Sequence, residues 1–246
     1  LESIWTPSEL SARQRLQQFI KEDMEAYTDN RNLPSVAGTS GLSPYLHFGH
    51  ISPRQIWWAV QDSGKASGKG GTTFLKEIVW REFAYHVLFH FPDTPEHPLR
   101  PEFKDFPWDK DSEVLKRWQE GRTGYPLVDA GMRQLYEEGW MHNRVRMVVA
   151  SLLVKHLLQP WQEGARWFWY TLVDGDLATP HPGVAATVGH RYFRHRSFED
   201  FPHVDTVVFR PAGEFDPVVD IAEDHHRVYS FEPPEFVGRL RDRIDV

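Results

Sequence analysis

Three stretches of this chain carry side chains whose types and spacing could do chemistry. In Gly139-Trp140-Met141-His142-Asn143-Arg144-Val145-Arg146-Met147, a helix would bring Asn143, Arg144 and Met147 onto one face, as an amide, a guanidinium and a thioether. Glu77, Trp80 and Arg81 stand at i, i+3 and i+4, giving a second helix face an acid, an indole and a guanidinium. Gly38 to Ser43 gathers the hydroxyls of Thr39, Ser40 and Ser43 around Gly38, Gly41 and Leu42, and such a loop can present N–H and hydroxyl donors to a phosphate. Asp174 and Asp176 add a closely spaced carboxylate pair, by itself a pattern of metal ligands or solvated charges. Each also has a plain reading: Arg144 and Arg146 as solvated charges, Asn143 as a cap, Glu77 and Arg81 as a surface ion pair, the glycine loop as a turn.

Helices must position these groups. Thr6-Pro7-Ser8-Glu9 reads as a capping box opening a helix with Leu10, Leu16, Phe19 and Ile20 on its buried stripe, closed near Tyr27 and the polar run through Asn32. Ser52-Pro53-Arg54-Gln55 opens another, with Ile56, Ala59 and Val60 inward. Gly64 to Gly71 reads as a flexible surface loop, after which Thr73 opens a helix from Phe74 to Phe91, stopped by Pro92. Ser112 caps a short helix bearing Trp118 and ending at Gly121; Gly139 ends a further helix, and the apolar spacing after Met141 starts the next. A last helix carries Trp167, Phe168 and Trp169 toward Asp174.

A chain of 246 residues is long enough for one large or two small domains with a real core. Aromatics at 14%, ten of them Trp, suit stacking on a flavin or on bases. The net charge of −7 excludes broad electrostatic coating by DNA, so a nucleic-acid site must be a local basic patch. The absence of cysteine removes disulfides and thiolate metal sites. No 18-residue apolar run and no signal-like N-terminus are found, so no membrane partner and a soluble, cytoplasmic protein are the expectation.

Read whole, the motifs resemble DNA photolyases of the photolyase/cryptochrome family, in particular those repairing cyclobutane pyrimidine dimers. The resemblance is carried by Thr39-Ser40-Gly41-Leu42-Ser43-Pro44, Glu77-x-x-Trp80-Arg81-Glu82-Phe83, Trp118-Gln119-Glu120-Gly121-x-Thr123-Gly124-Tyr125-Pro126, the stretch Gly139 to Met147, and Asp174-x-Asp176. In relatives that repair (6-4) photoproducts a second His follows the first, whereas here Asn143 follows His142. The resemblance implies an all-α, multi-helical FAD-binding domain over residues 1–178, acting as a monomer on damaged DNA containing pyrimidine dimers, with no metal. It assigns Tyr27, Thr39, Ser40, Gly41, Leu42, Ser43, Arg81, Asn143, Asp174 and Asp176 to the cofactor, and Glu77, Trp80, Asn143, Arg144 and Met147 to the lesion. Trp118 and Trp161 would be the outer and middle members of an electron-transfer tryptophan chain, though as isolated residues both read as packing aromatics. Gly41 stands where the family often has Arg or Lys. Glu77, protonated through burial, would donate a hydrogen bond to a thymine carbonyl.

The resemblance breaks at both ends. Photolyases begin with a parallel α/β antenna domain, which the expectation leaves out of this chain, and continue after Asp-x-Asp into an Asn-Asn and Gly-Trp-Gln-Trp segment. Here Pro180 and Val184 stand at the Asn and flavin-proximal Trp positions; after Ala178 there is no Lys and no Trp, and six of the 13 histidines occur. The expectation is a divergent tail over residues 179–246 of frameshift origin, against a divergent natural tail. His181, His190 and His195 match no common zinc spacing. The implied activity is light-driven dimer repair from reduced FAD, a carbon-carbon lyase reaction. A cryptochrome-like photoreceptor and a non-catalytic DNA-binding remnant are the alternatives.

Overall fold

The computed structural model describes residues 4–99 and 101–178, and the backbone of two short strands beyond them. Through residue 178 every regular element is helical, as the sequence predicts. Helix α1 (Glu9–Glu22) starts two residues later than the capping box suggests. Ser8, in extended backbone, is the cap and accepts from the Ser11 N–H at 3.0 Å; Ala12, Leu16 and Phe19 turn inward, while Leu10 is exposed. The single turn α2 (Tyr27–Asn30) and the short α3 (Ser43–His47) flank the glycine loop. Helix α4 (Pro53–Asp62) has the predicted reciprocal box, Gln55 N–H to Ser52 and Ser52 N–H to the Gln55 side chain.

Helix α5 (Lys69–His90) begins earlier than Thr73. Its first turn contains Gly70 and Gly71, both buried: a Cβ on Gly70 would lie 1.7 Å from the Met24 carbonyl oxygen, and one on Gly71 2.1 Å from that of Lys65. The two glycines thus serve close backbone approach, and the last three residues of the expected flexible loop, 69–71, are the packed start of a helix.

A 3-10 turn (Pro101–Phe103) leads to α6 (Ser112–Gln119), capped by Asp111, whose Oδ1 accepts from the Glu113 and Val114 N–H groups; Ser112 is its first residue. Helix α7 (Pro126–Glu138) ends at Gly139, left-handed at φ 65°, and α8 (Asn143–Ser151) runs into a π-helical turn, Leu152–His156. Helix α9 (Trp161–Thr171) completes this part of the chain. Farther on, β1 (Val208–Arg210) and β2 (Val228–Ser230) pair in parallel. The predicted division at residue 178 and a shifted-frame origin for 179–246 concern residues that otherwise lie outside those described, as do Pro180, Val184 and the tail histidines.

Two apolar cores result. The first, around Leu16, Phe19, Tyr27, Ile56 and Phe74, belongs to α1–α5; the second, around Trp118, Met132, Val149, Leu153, Trp161 and Phe168, belongs to α6–α9. Burying each large aliphatic or aromatic side chain contributes about 1.5–3 kcal/mol, so both are substantial. The seam between them carries polar contacts.

Candidate functional site

Besides the bond from Trp5 Nε1 to the Glu138 carbonyl at 3.0 Å, two groups of polar side-chain contacts cross the seam. Arg31 and Asn32, in the turn after α2, reach in opposite directions: Arg31 Nη1 donates to Glu77 Oε1 of α5 at 2.7 Å, and Asn32 Oδ1 accepts from Nε and Nη2 of Arg144 on α8 at 2.9 and 2.6 Å. Asn32 is itself held by its Nδ2 donating to the Thr28 carbonyl at 3.1 Å. Arg144 Nη1 lies 3.5 Å from Met147 Sδ, and the Arg31 guanidinium stands 5.4 Å from the centre of the Tyr27 ring. Burial pushes the Tyr27 phenol up to about 12, against the pull of Arg31. Thus two adjacent residues gather the acid of one predicted motif and the guanidinium of another.

The second crossing is centred on Asp176. Its buried carboxylate accepts the Tyr85 hydroxyl and, at 2.9 Å, the Ala178 N–H, and its Oδ2 lies 3.8 Å from both Arg81 Nη2 and His47 Nδ1. Burial and the bond to Asp176 push the Tyr85 phenol up to about 12. Asp174 is reached from the other core. The Val173 N–H donates to the Gly139 carbonyl at 2.8 Å, which sets the loop after α9 against the α7–α8 junction. There Arg146 Nη2 donates to Asp174 Oδ2 at 2.9 Å while its Nε holds the Met141 carbonyl at 2.7 Å. Arg146 is therefore a structural cation and not a solvated charge.

Two buried polar atoms beside this seam have no protein partner: Asp174 Oδ1 and His142 Nε2. Burial, with Arg144, Arg146 and Arg31 nearby, holds His142 below its ordinary range and so neutral. Its Nδ1 accepts from the Arg144 N–H at 3.2 Å, capping α8 in place of Asn143; the proton then sits on Nε2, an open donor. An open buried acceptor and an open buried donor are costly alone and suit a ligand with both kinds of group. A flavin ring, with its imide N–H and carbonyls, is such a ligand, so the residues present fit one.

The remaining predicted residues fall around this centre. Trp80 is 63% exposed on α5, one turn from Glu77, and packs edge-on against Phe83. Asn143 and Met147 are exposed on α8. In the glycine loop Leu42 is buried, Ser43 is exposed, and Gly41 takes φ 62°. Glu77 differs from expectation: its ion pair with Arg31 is one a carboxylate makes, so it can donate to a ligand only once that pair opens. Trp118 also departs from its expected place. It is completely buried, with Nε1 donating to the Val149 carbonyl at 3.0 Å, and cannot be a solvent-facing outer member of a chain. Trp161 is buried in the same core, while Trp108 is only partly buried against it. Arg31, Asn32, His47 and Tyr85 were not singled out by the motifs, and Arg146, though inside one, was given no role; their signal is conformational and lies in no local spacing.

Comparison with known proteins accounts for this arrangement. The FAD binding domain of DNA photolyase matches residues 74–213, which runs past residue 178, where the motif resemblance stops. The deoxyribodipyrimidine photo-lyase of Agrobacterium fabrum is 49% identical over 177 residues, 72% of this chain and 37% of that protein. Cryptochrome-2 of Arabidopsis thaliana is 40% identical over 225 residues, 86% of this chain and 36% of that protein. Among solved structures, a bacterial class III photolyase from Agrobacterium tumefaciens superposes with a TM-score of 0.74 at 46% identity, covering 76% of this chain and 39% of that one. The chain thus spans less than half the length of these relatives. It belongs to the DNA photolyase and cryptochrome family, through the helical domain that binds that family's FAD.

Proposed function

We propose that this chain serves the light-driven repair of cyclobutane pyrimidine dimers in DNA. The observation that carries the reading is the turn at Arg31 and Asn32, which ties Glu77 of one helix and Arg144 of another to adjacent residues. The relatives named deoxyribodipyrimidine photo-lyase support it. Residues 1–178 would form the working unit, with Tyr27, the Thr39 to Ser43 loop, Arg81, Asn143, Asp174 and Asp176 holding FAD. Reduced FAD, when bound, supplies under blue light the electron that opens the cyclobutane ring.

The chain's own side chains do the rest. A dimer must leave the stack to be reached, at a cost lowered by its weakened pairing. Trp80 and Met147 offer an apolar wall for the extruded bases, and Asn143 and Arg144 offer donors to base or phosphate oxygens. Arg144 comes to such an oxygen by giving up Asn32, and Glu77 by giving up Arg31 and taking up a proton, so lesion binding exchanges internal contacts for intermolecular ones.

The test is blue-light repair of a dimer-containing oligonucleotide by the FAD-loaded chain. Wild type is expected to restore the thymines, and Glu77→Ala to lower the yield about tenfold while leaving oligonucleotide affinity nearly unchanged, the size expected for one charge-assisted hydrogen bond. Absence of light-dependent repair by wild type would overturn the reading. A cryptochrome-like photoreceptor is the second reading, favoured by the greater share of the chain, 86% against 72%, that aligns with the Arabidopsis cryptochrome. It predicts light-driven change in the flavin spectrum without repair.

A further inference from the structure

The glycine loop lies in a run, Leu33 to Leu46, that holds no charged side chain. A cation reaches it from elsewhere. Arg15, on the exposed side of α1, donates from Nε to the Ser40 carbonyl at 2.8 Å and from Nη2 to the Thr39 carbonyl at 3.5 Å, across 25 and 24 residues. Its guanidinium lies against Gly41, where a Cβ would come within 3.2 Å of both nitrogens and where φ is 62°. A trans peptide points its N–H opposite its C=O. Carbonyls held toward Arg15 therefore turn the Ser40 and Gly41 N–H groups to the other side of the loop, and neither N–H has a backbone partner among the described residues. Ser40 Oγ meanwhile accepts the Leu42 N–H at 3.4 Å, closing the turn.

We propose that Arg15 is a positioning residue for a diphosphate: its fork fixes two successive peptide planes so that their N–H groups face the anion, and it makes the site discriminate FAD from flavins without phosphate. This rests on the reading of Thr39 to Ser43 as the phosphate-holding part of the FAD site. Two carbonyls in a fixed fork need a guanidinium, because an ammonium cannot span them in one plane. Arg13, two residues away on α1, pairs with Glu9 at 3.5 Å and serves as the control for loss of charge.

The experiment is titration of the flavin-free protein with FAD and, separately, with riboflavin, followed by flavin fluorescence. Wild type is expected to prefer FAD. Arg15→Gln should lose about tenfold in FAD affinity, the worth of one or two misaligned bonds to an anion, with riboflavin affinity unchanged. Arg15→Lys, which keeps the charge and loses the fork, should fall nearly as far, and Arg13→Gln should match wild type. Equal loss for FAD and riboflavin would reduce Arg15 to a folding role and overturn the proposal; so would an Arg15→Lys that binds FAD like wild type, since charge alone would then suffice. If wild type binds FAD no better than riboflavin, the reading of the loop fails and the proposal with it. An FAD preference kept by Arg15→Gln sinks only the role of Arg15.

Discussion

The two crossings of the seam differ in how many partners they serve. The Asp176 carboxylate is buried among Tyr85, Ala178, Arg81 and His47, four groups from three parts of the chain. Asn32 answers one guanidinium with a neutral oxygen at the edge of solvent. A buried charge with many donors is hard to rearrange, whereas a neutral acceptor gives up a guanidinium to any anion that offers itself. One crossing fastens the cores; on the proposed reading the other is exchanged for a ligand.

The sharpest way to break that contrast is to remove both acceptors in turn. Asp176→Ala leaves the Tyr85 hydroxyl and the Ala178 N–H without their acceptor, while Arg81 keeps Glu82, and should lower unfolding free energy in urea by about 2 kcal/mol. A loss below about 1 kcal/mol would show that the crossing is not a fastening.

A second measurement separates failure of a core from failure of the seam. His156, in the π-helical turn of the second core, is pulled down to about 4 by burial, with Lys155 adding to the effect. The folded state therefore keeps this histidine neutral while the unfolded chain takes up a proton near its ordinary 6.5. Stability is complete above that value and declines as pH falls toward 4, by at most about 1.4 kcal/mol per pH unit from this residue. Urea midpoints between pH 7 and 4.5 should drop accordingly, and His156→Gln should flatten the drop. An unaltered slope would remove His156 as the cause.

On the exchangeable side, Trp80→Ala should weaken binding of dimer-containing DNA by about 1–2 kcal/mol, the worth of one stacked base, and leave the urea midpoint within error because the ring is 63% exposed. Asn32→Ala should have the smallest effect on folding, under about 1 kcal/mol, since it removes a partly exposed acceptor. If Asn32→Ala destabilises as much as Asp176→Ala, the distinction between the crossings falls.

Much of this was legible in the sequence. The helical class, the box at Ser52 and the left-handed stop at Gly139 follow from caps and periodicity, while Glu77, Arg144, Asp174 and Asp176 were marked as site residues by the motifs alone. What was not legible depended on contacts between distant elements. Gly70 and Gly71 have poor helix propensity and read as a loop, yet their lack of a Cβ is what lets α5 begin against Met24 and Lys65. Arg31 and Asn32 sat in a polar run whose composition says only that it turns. Trp118 resembled a relay residue in sequence, but its depth in the core is a tertiary fact.

The central claim is that the seam holds a flavin through the open oxygen of Asp174 and the donors around it. The most direct measurement is the visible absorption spectrum of the protein after incubation with FAD and gel filtration, for wild type and Asp174→Ala. Flavin bands that travel with wild type and are lost or much reduced in Asp174→Ala are the expected result. A colourless, folded wild type, or an Asp174→Ala that keeps its colour, would contradict the account.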